Sequence, residues 1–148
     1  MGSLIAFNSY IKFRYANFVN NQPLCITTGT FQEGGAITLF ESNVLFDGEC
    51  NLECDHAENG GAIHSTDSRL YINGNVTIAH NTATGNGGGI YLSSSELNCQ
   101  QESSFVQNSN EQRGGFHAIS SSIKAYSYYF GDQYIGTRIH FTKKCSKV

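Results

Sequence analysis

The chain has 148 residues, with 9 Lys and Arg against 12 Asp and Glu, and 39% of its residues are hydrophobic. That is the size of one domain, and charge this sparse and balanced gives no electrostatic footprint for nucleic acid or an anionic membrane. No apolar run approaches the roughly 18 residues of a membrane-spanning helix, so the expectation is no nucleic-acid partner, no membrane span in this chain and no cofactor or metal.

From the N-terminus, Leu4-Ile5-Ala6-Phe7 is a short apolar start with no basic region before it, inadequate as a secretory signal. Ser9-Tyr10-Ile11-Lys12-Phe13 follows with apolar residues at alternate positions, then Phe18 stands three positions ahead of Asn21. The stretch from Gln22 to Glu33 is irregular. Gly34-Gly35-Ala36-Ile37 then opens a pattern that returns as Gly60-Gly61-Ala62-Ile63, Gly87-Gly88-Gly89-Ile90 and Gly114-Gly115-Phe116-His117, with starts 26, 27 and 27 residues apart. A serine followed by two alternating apolar positions keeps the same beat at Ser42, Ser68, Ser95 and Ser121, eight residues after each glycine pair and seven in the last copy. A third motif sets an apolar residue three positions ahead of an amide or acid: Phe18 with Asn21, Leu52 with Asp55, Ile78 with Asn81, Phe105 with Asn108. Beyond Ile123 the chain turns aromatic, with Tyr126, Tyr128, Tyr129, Phe130 and Tyr134, and Ile139-His140-Phe141-Thr142-Lys143 resembles the third motif without its asparagine.

Three motifs in one order and register define an array of about five units, the outer two incomplete. Alternation over short stretches such as Leu70-Tyr71-Ile72 and Val76-Thr77-Ile78, bounded by Gly, Asn and Ser, is the period of a strand, and no long stripe of helical period exists. A unit this small cannot bury an apolar face alone, but copies stacked in register can. If each unit makes one turn, like strands pair in parallel about 4.8 Å apart. Propeller blades need about 40 to 50 residues, leucine-rich repeats a dense Leu signature, and the calcium-binding nonapeptide an Asp that follows none of these glycine pairs. The expected fold is therefore all-β, a single-stranded parallel β-helix (β-solenoid) of about five coils of 26–27 residues. Residues 1–148 form one domain, with an incomplete first coil and insertion over 1–33, regular repeats over 34–123 and an irregular last coil and tail over 124–148. Gly34, Gly35, Gly60, Gly61, Gly87, Gly88, Gly114 and Gly115 are the expected sharp bends, since glycine alone reaches positive φ freely and lets coils approach without a Cβ. Asn21, Asn81 and Asn108 are the expected inward amide column, broken by Asp55, which cannot donate when ionised.

Phe-x-x-Asn followed by Gly-Gly-Ala-Ile resembles the polymorphic outer membrane protein repeat, found in autotransported bacterial adhesins and in right-handed parallel β-helix proteins of eukaryotes. Phe18-Val19-Asn20-Asn21 and Phe105-Val106-Gln107-Asn108 match its first half, residues 34–37 and 60–63 its second, and the resemblance covers residues 9–123. It departs at Leu52, Ile78, Asp55 and Phe116-His117. The resemblance implies a right-handed coil, an extracellular or cell-surface location and adhesion. The expectation is a fragment of a longer solenoid whose signal and anchor lie outside this chain.

Five cysteines is an odd number, so at least one is unpaired in a monomer. Cys50 and Cys54, about 13 Å apart on an extended strand, are beyond bridging distance and, with Cys99, are expected in the core as small apolar residues. Cys25 and Cys145 lie in irregular segments. Glu41, Asp47, Glu49, Glu53, Asp55 and Glu58 gather half the acidic residues in one coil, with no compact calcium loop, and read as a solvated face. Asp47 and Glu49 would share an outer face if they lay on a strand, the only pairing that suggests carbohydrate cleavage. His80 is expected directly above Cys54, a pair short of the ligands zinc needs. Asn75-Val76-Thr77 is the only N-glycosylation sequon. The function expected is a non-enzymatic surface scaffold that binds a protein or glycan through its outer faces and loops, with a polysaccharide lyase or hydrolase of the pectate-lyase-like type as the alternative.

Overall fold

The computed structural model describes residues 4–19, 34–101, 103–110, 114–125, 128–130 and 139–141. All of its strands pair in parallel, and they stack into three long sheets that wrap one shared core. Sheet A holds Leu4–Phe7, Ile37–Phe40, Ile63–Thr66, Ile90–Ser93 and Phe116–Ile119. Sheet B holds Tyr10–Phe13, Asn43–Phe46, Arg69–Ile72, Glu96–Cys99, Ser121–Ala125 and Ile139–Phe141. Sheet C holds Ala16–Val19, Cys50–Glu53, Val76–Ala79, Ser103–Val106 and Tyr128–Phe130. A short ladder of His56–Ala57, Thr82–Ala83 and Ser109–Asn110 leads back to the glycine corner. The molecule is an all-β parallel solenoid with about three complete turns between the glycine corners and a partial turn at each end.

Register follows the motifs. Ile37, Ile63, Ile90 and Phe116 stand one above another, and so do Val44, Leu70, Leu97 and Ile123. All eight are buried to within 1% of complete exclusion from solvent. Each such side chain taken out of water contributes about 1.5–3 kcal/mol, and each is shared between the coil below and the coil above. No unit owns its core, which is why the repeat is stable only as an array.

The fourth copy differs from the sequence alignment by one residue. Phe116, not Ala118 or His117, takes the isoleucine column, and Gly115 hydrogen-bonds upward from Gly89 and Ile90 as Gly89 does from Ala62 and Ile63. Gly114-Gly115 therefore occupies the first and third positions of the corner, with the middle glycine missing. The serine spacing of seven in that copy is the sequence mark of the same deletion. The aromatic segment also continues the solenoid: Tyr128–Phe130 extends sheet C in register with Ser103 to Phe105. Ile139–Phe141, expected as a third-motif strand, instead pairs with Ser121 to Ile123 and extends sheet B.

The middle glycine is where coils touch most closely. A Cβ on Gly35 would collide with the Gly61 carbonyl oxygen, and one on Gly61 with the Gly88 carbonyl oxygen, while Gly34, Gly60, Gly87 and Gly114 hold φ between +62° and +77°. Gly61→Ala is expected to destabilise the protein by about 2 kcal/mol or more, because backbone and not a flexible side chain must yield. The exposed Asn73→Ala in the same coil should stay within about 0.5 kcal/mol, both read from equilibrium denaturation.

Candidate functional site

Each coil turns from sheet A to sheet B, and from sheet C to the short ladder, through a single non-glycine residue in the left-handed region. Asn8, Glu41, Asp67, Ser94 and Ser120 make the first corner and Cys54, His80 and Gln107 the second, all with φ between 47° and 57°. Such residues cost about 1 kcal/mol or more apiece, and the residue after each one supplies the compensation. At the first corner it is a serine whose Oγ donates to the carbonyl two residues back and accepts the N–H of the serine in the coil before. Ser42 Oγ bonds Phe40 O at 2.8 Å and accepts from Ser9 N at 3.0 Å; Ser68, Ser95 and Ser121 repeat this.

At the second corner the residue is an amide. Asn81 Oδ1 accepts the Asp55 N–H at 2.8 Å, and its Nδ2 donates to Leu52 O at 2.9 Å and to Asn108 Oδ1 at 2.9 Å. Asn108 does the same for Asn81 N and Ile78 O, at 3.0 and 2.8 Å. Asp55 sits buried in this column and donates its backbone N–H to Asn81 Oδ1, but an ionised carboxylate cannot make the side-chain donation that the asparagines make. Asn21 lies outside the described residues. These inward groups stitch coils together and have no access to a ligand.

The thiols divide by the same geometry. Cys50 and Cys99 are buried and burial pushes both up, Cys99 to about 12, so neither is a thiolate at neutral pH. Cys54, expected in the core, is exposed, because the left-handed corner interrupts the alternation one residue after Glu53. His80 occupies the equivalent corner of the next coil and is likewise exposed. Among the described residues no group of three or more His, Cys, Asp or Glu side chains could hold a metal. Cys25 and Cys145 lie outside the described residues.

The acidic residues disperse. Glu41 is at the first corner, Glu53 on the outer face of sheet C, Asp55 inside, and Glu58 exposed before the glycine corner. Asp47 and Glu49 flank Gly48 at the corner between sheets B and C, not on a strand as a shared face would require. Lys12 pairs with Asp47 at 2.6 Å and, through that hydrogen bond, holds its carboxyl below the usual range.

Sheet A carries a column that sequence pattern missed. Thr38, His64, Tyr91 and His117 occupy the outer face, yet Thr38, His64 and His117 are buried. The glycine corner folds against this face, since a Cβ on Gly34 would strike Thr38 Oγ1. His64 stacks on Tyr91 at 4.9 Å and Tyr91 on His117 at 5.4 Å, both pairs 6° from parallel. Burial pulls the His64 imidazole down to about 4 from its ordinary 6.5.

Open clefts lie on the outside of the coil among the described residues. One, of about 430 Å³, follows the first corner past Asp67, Arg69, Ser94, Glu96, Ser120 and Ser122, where Glu96 pairs with Lys124 at 2.8 Å. Another, of about 310 Å³, is lined by Tyr15, Ala16, Asn17, Glu49 and Asn51 at the corner leading into sheet C. Asn75, exposed, stands in the same corner column one coil beyond Glu49.

No protein family, curated protein or solved structure matches this chain. What the geometry offers chemically is therefore read from the chain alone: hydrogen-bonding groups in vertical rows, a stacked ring column on sheet A, and, among the described residues, no metal-holding cluster of carboxylates.

Replacing Asn81 with Ala leaves the buried Asp55 N–H and Leu52 carbonyl without the side chain that serves both, a loss of about 3 kcal/mol. Faster hydrogen exchange at the Asp55 amide is the local readout. For His64, the folded state disfavours the proton, so its contribution is complete above pH 6.5 and is lost as pH falls toward 4. That amounts to about 3 kcal/mol. His64→Tyr, which repeats the Tyr91 ring, should flatten this part of the stability profile relative to the parent chain.

Proposed function

We propose that the chain is a non-enzymatic β-solenoid scaffold, displayed outside the cell, that binds a protein or glycan through its outer faces and corners. In this reading its repeats are of the polymorphic outer membrane protein kind and its role is adhesion. The observation that carries it is how the polar chemistry is distributed. Of the carboxylates weighed for chemistry, Asp55 is buried in the amide column with Asn81 and Asn108, and Asp47 is paired with Lys12. Groups able to touch a partner stand in ordered outer rows at the rung spacing of about 4.8 Å, among them Asn17, Asn51, Thr77 and Ser104. Tyr15 is 83% exposed and Tyr10 is 64% exposed, and tyrosine contributes area to a contact at low entropic cost.

Glycoside cleavage needs two carboxyl groups about 5 to 9.5 Å apart across a substrate, one of them free to carry a proton. Asp47, tied to Lys12, does not offer that. The test is incubation of the purified chain with pectin, polygalacturonate and neutral polysaccharides, with reducing ends and ultraviolet absorbance of unsaturated products followed over days. No product is expected, while immobilised chain retains cells or matrix from suspension. Turnover that Asp47→Asn or Glu49→Gln removes would overturn the reading.

A further inference from the structure

The corner that leads into sheet C puts an exposed aromatic ring beside amides and along an open cleft. Arg14 and Tyr15 make it in the first rung, Gly48 and Glu49 in the second and Gly74 and Asn75 in the third, so Tyr15, Glu49 and Asn75 form one vertical column. Immediately beside it runs the outer row of sheet C, in which Asn17, Asn51, Thr77 and Ser104 follow one another coil by coil. The first two amides are joined, Asn51 Nδ2 donating to Asn17 Oδ1 at 3.1 Å. That bond uses a donor of Asn51 and an acceptor of Asn17, and each carboxamide carries both kinds of group. Tyr15, Asn17, Glu49 and Asn51 all line the same open cleft of about 310 Å³.

An exposed ring next to a row of side-chain donors and acceptors is complementary to a ligand with one C–H face and a polar edge. A pyranose ring is such a ligand: its axial C–H groups lie on an aromatic face and its hydroxyls both donate and accept. The charges at this corner balance, Lys12 and Arg14 against Asp47 and Glu49, which favours a neutral sugar over a uronate or sulfated one. A peptide adding a strand would pair with the edge that Ala16–Val19 presents at the end of sheet C, whereas Asn17 and Asn51 belong to the outward-facing row of that sheet.

We propose that the cleft lined by Tyr15, Asn17, Glu49 and Asn51 is a binding subsite for a neutral pyranose glycan, with Tyr15 as the stacking platform. The Asn17 to Ser104 row is the track along which further sugar units of the same chain lie. This rests on the scaffold reading above and names its ligand class. Glu49 accepts from a sugar hydroxyl and performs no chemistry.

The experiment is a titration of the isotope-labelled 148-residue chain, observed by NMR, with cellohexaose, chitohexaose, trigalacturonate and decaproline as probes. At least one neutral oligosaccharide should shift the side-chain amide signals of Asn17 and Asn51 with a dissociation constant in the millimolar range or tighter. Tyr15→Ala should weaken that binding by about tenfold, Tyr15→Phe should retain it, and Asn51→Ser should weaken it with the ring intact. Because Tyr15 is 83% exposed, its replacement leaves the core and the unfolding midpoint unchanged. No response to either neutral sugar at about 10 mM, equal binding by Tyr15→Ala, or equal or tighter binding of trigalacturonate or decaproline would overturn the proposal. Failure here with cell or matrix binding intact removes this subsite and leaves the scaffold reading standing; cleavage of a bound sugar does the reverse.

Discussion

A buried corner amide must find an acceptor, and this requirement governs the molecule more than any other. Strands satisfy their own backbone by pairing with the coils on either side, but a left-handed corner residue breaks that pairing and strands the next N–H inside. The chain answers with a hydroxyl at one corner and a carboxamide at the other, each reaching across to the neighbouring coil. Leaving such a group unbonded costs about 1–3 kcal/mol, on top of the comparable strain of the corner itself. Because the remedy lies in the adjacent coil, corner chemistry and stacking register are one constraint.

The core follows from the same register. With corners locked, like side chains rise in columns, and isoleucine stands over isoleucine in a buried core. Where one coil drops a residue, in the fourth glycine corner, the loss is confined to the loop and the columns on both sides stay aligned. The ladder tolerates a shortened connection because the corner serines, fixed by hydrogen bonds at 26 to 27 residue intervals, reset the count in each turn.

Much of this was legible in the sequence. The glycine pairs, the serine beat and the apolar residue three ahead of an amide each mark one kind of corner or strand, and together they give the parallel stack. What escaped has physical causes. Cys54 was assigned inward by carrying a period of two through a residue whose backbone is left-handed, a conformation that nothing about cysteine announces. Asp47 and Glu49 were weighed as strand neighbours, although Gly48 between them marks a turn. The burial of His64 and His117 has no mark in the alternation, because the burial of an outer face depends on how the glycine corner folds over it. Phe116 was placed one position off, although the shortened serine spacing recorded the missing residue. The outer cleft was the least legible of all: Tyr15, Glu49 and Asn75 are far apart in sequence and share no residue type, so only the stacking brings them into a column.

The hydroxyl and amide ladders share a direction: the peptide N–H of one turn always enters the side chain of the next. Such an arrangement has a head and a tail, and every turn presents the same outlet that its predecessor presented. Duplication or excision of a whole turn therefore leaves both junctions chemically identical to those already in place. Evolution can lengthen or trim the array in quantised steps, while the lateral surface, free of that duty, diversifies residue by residue.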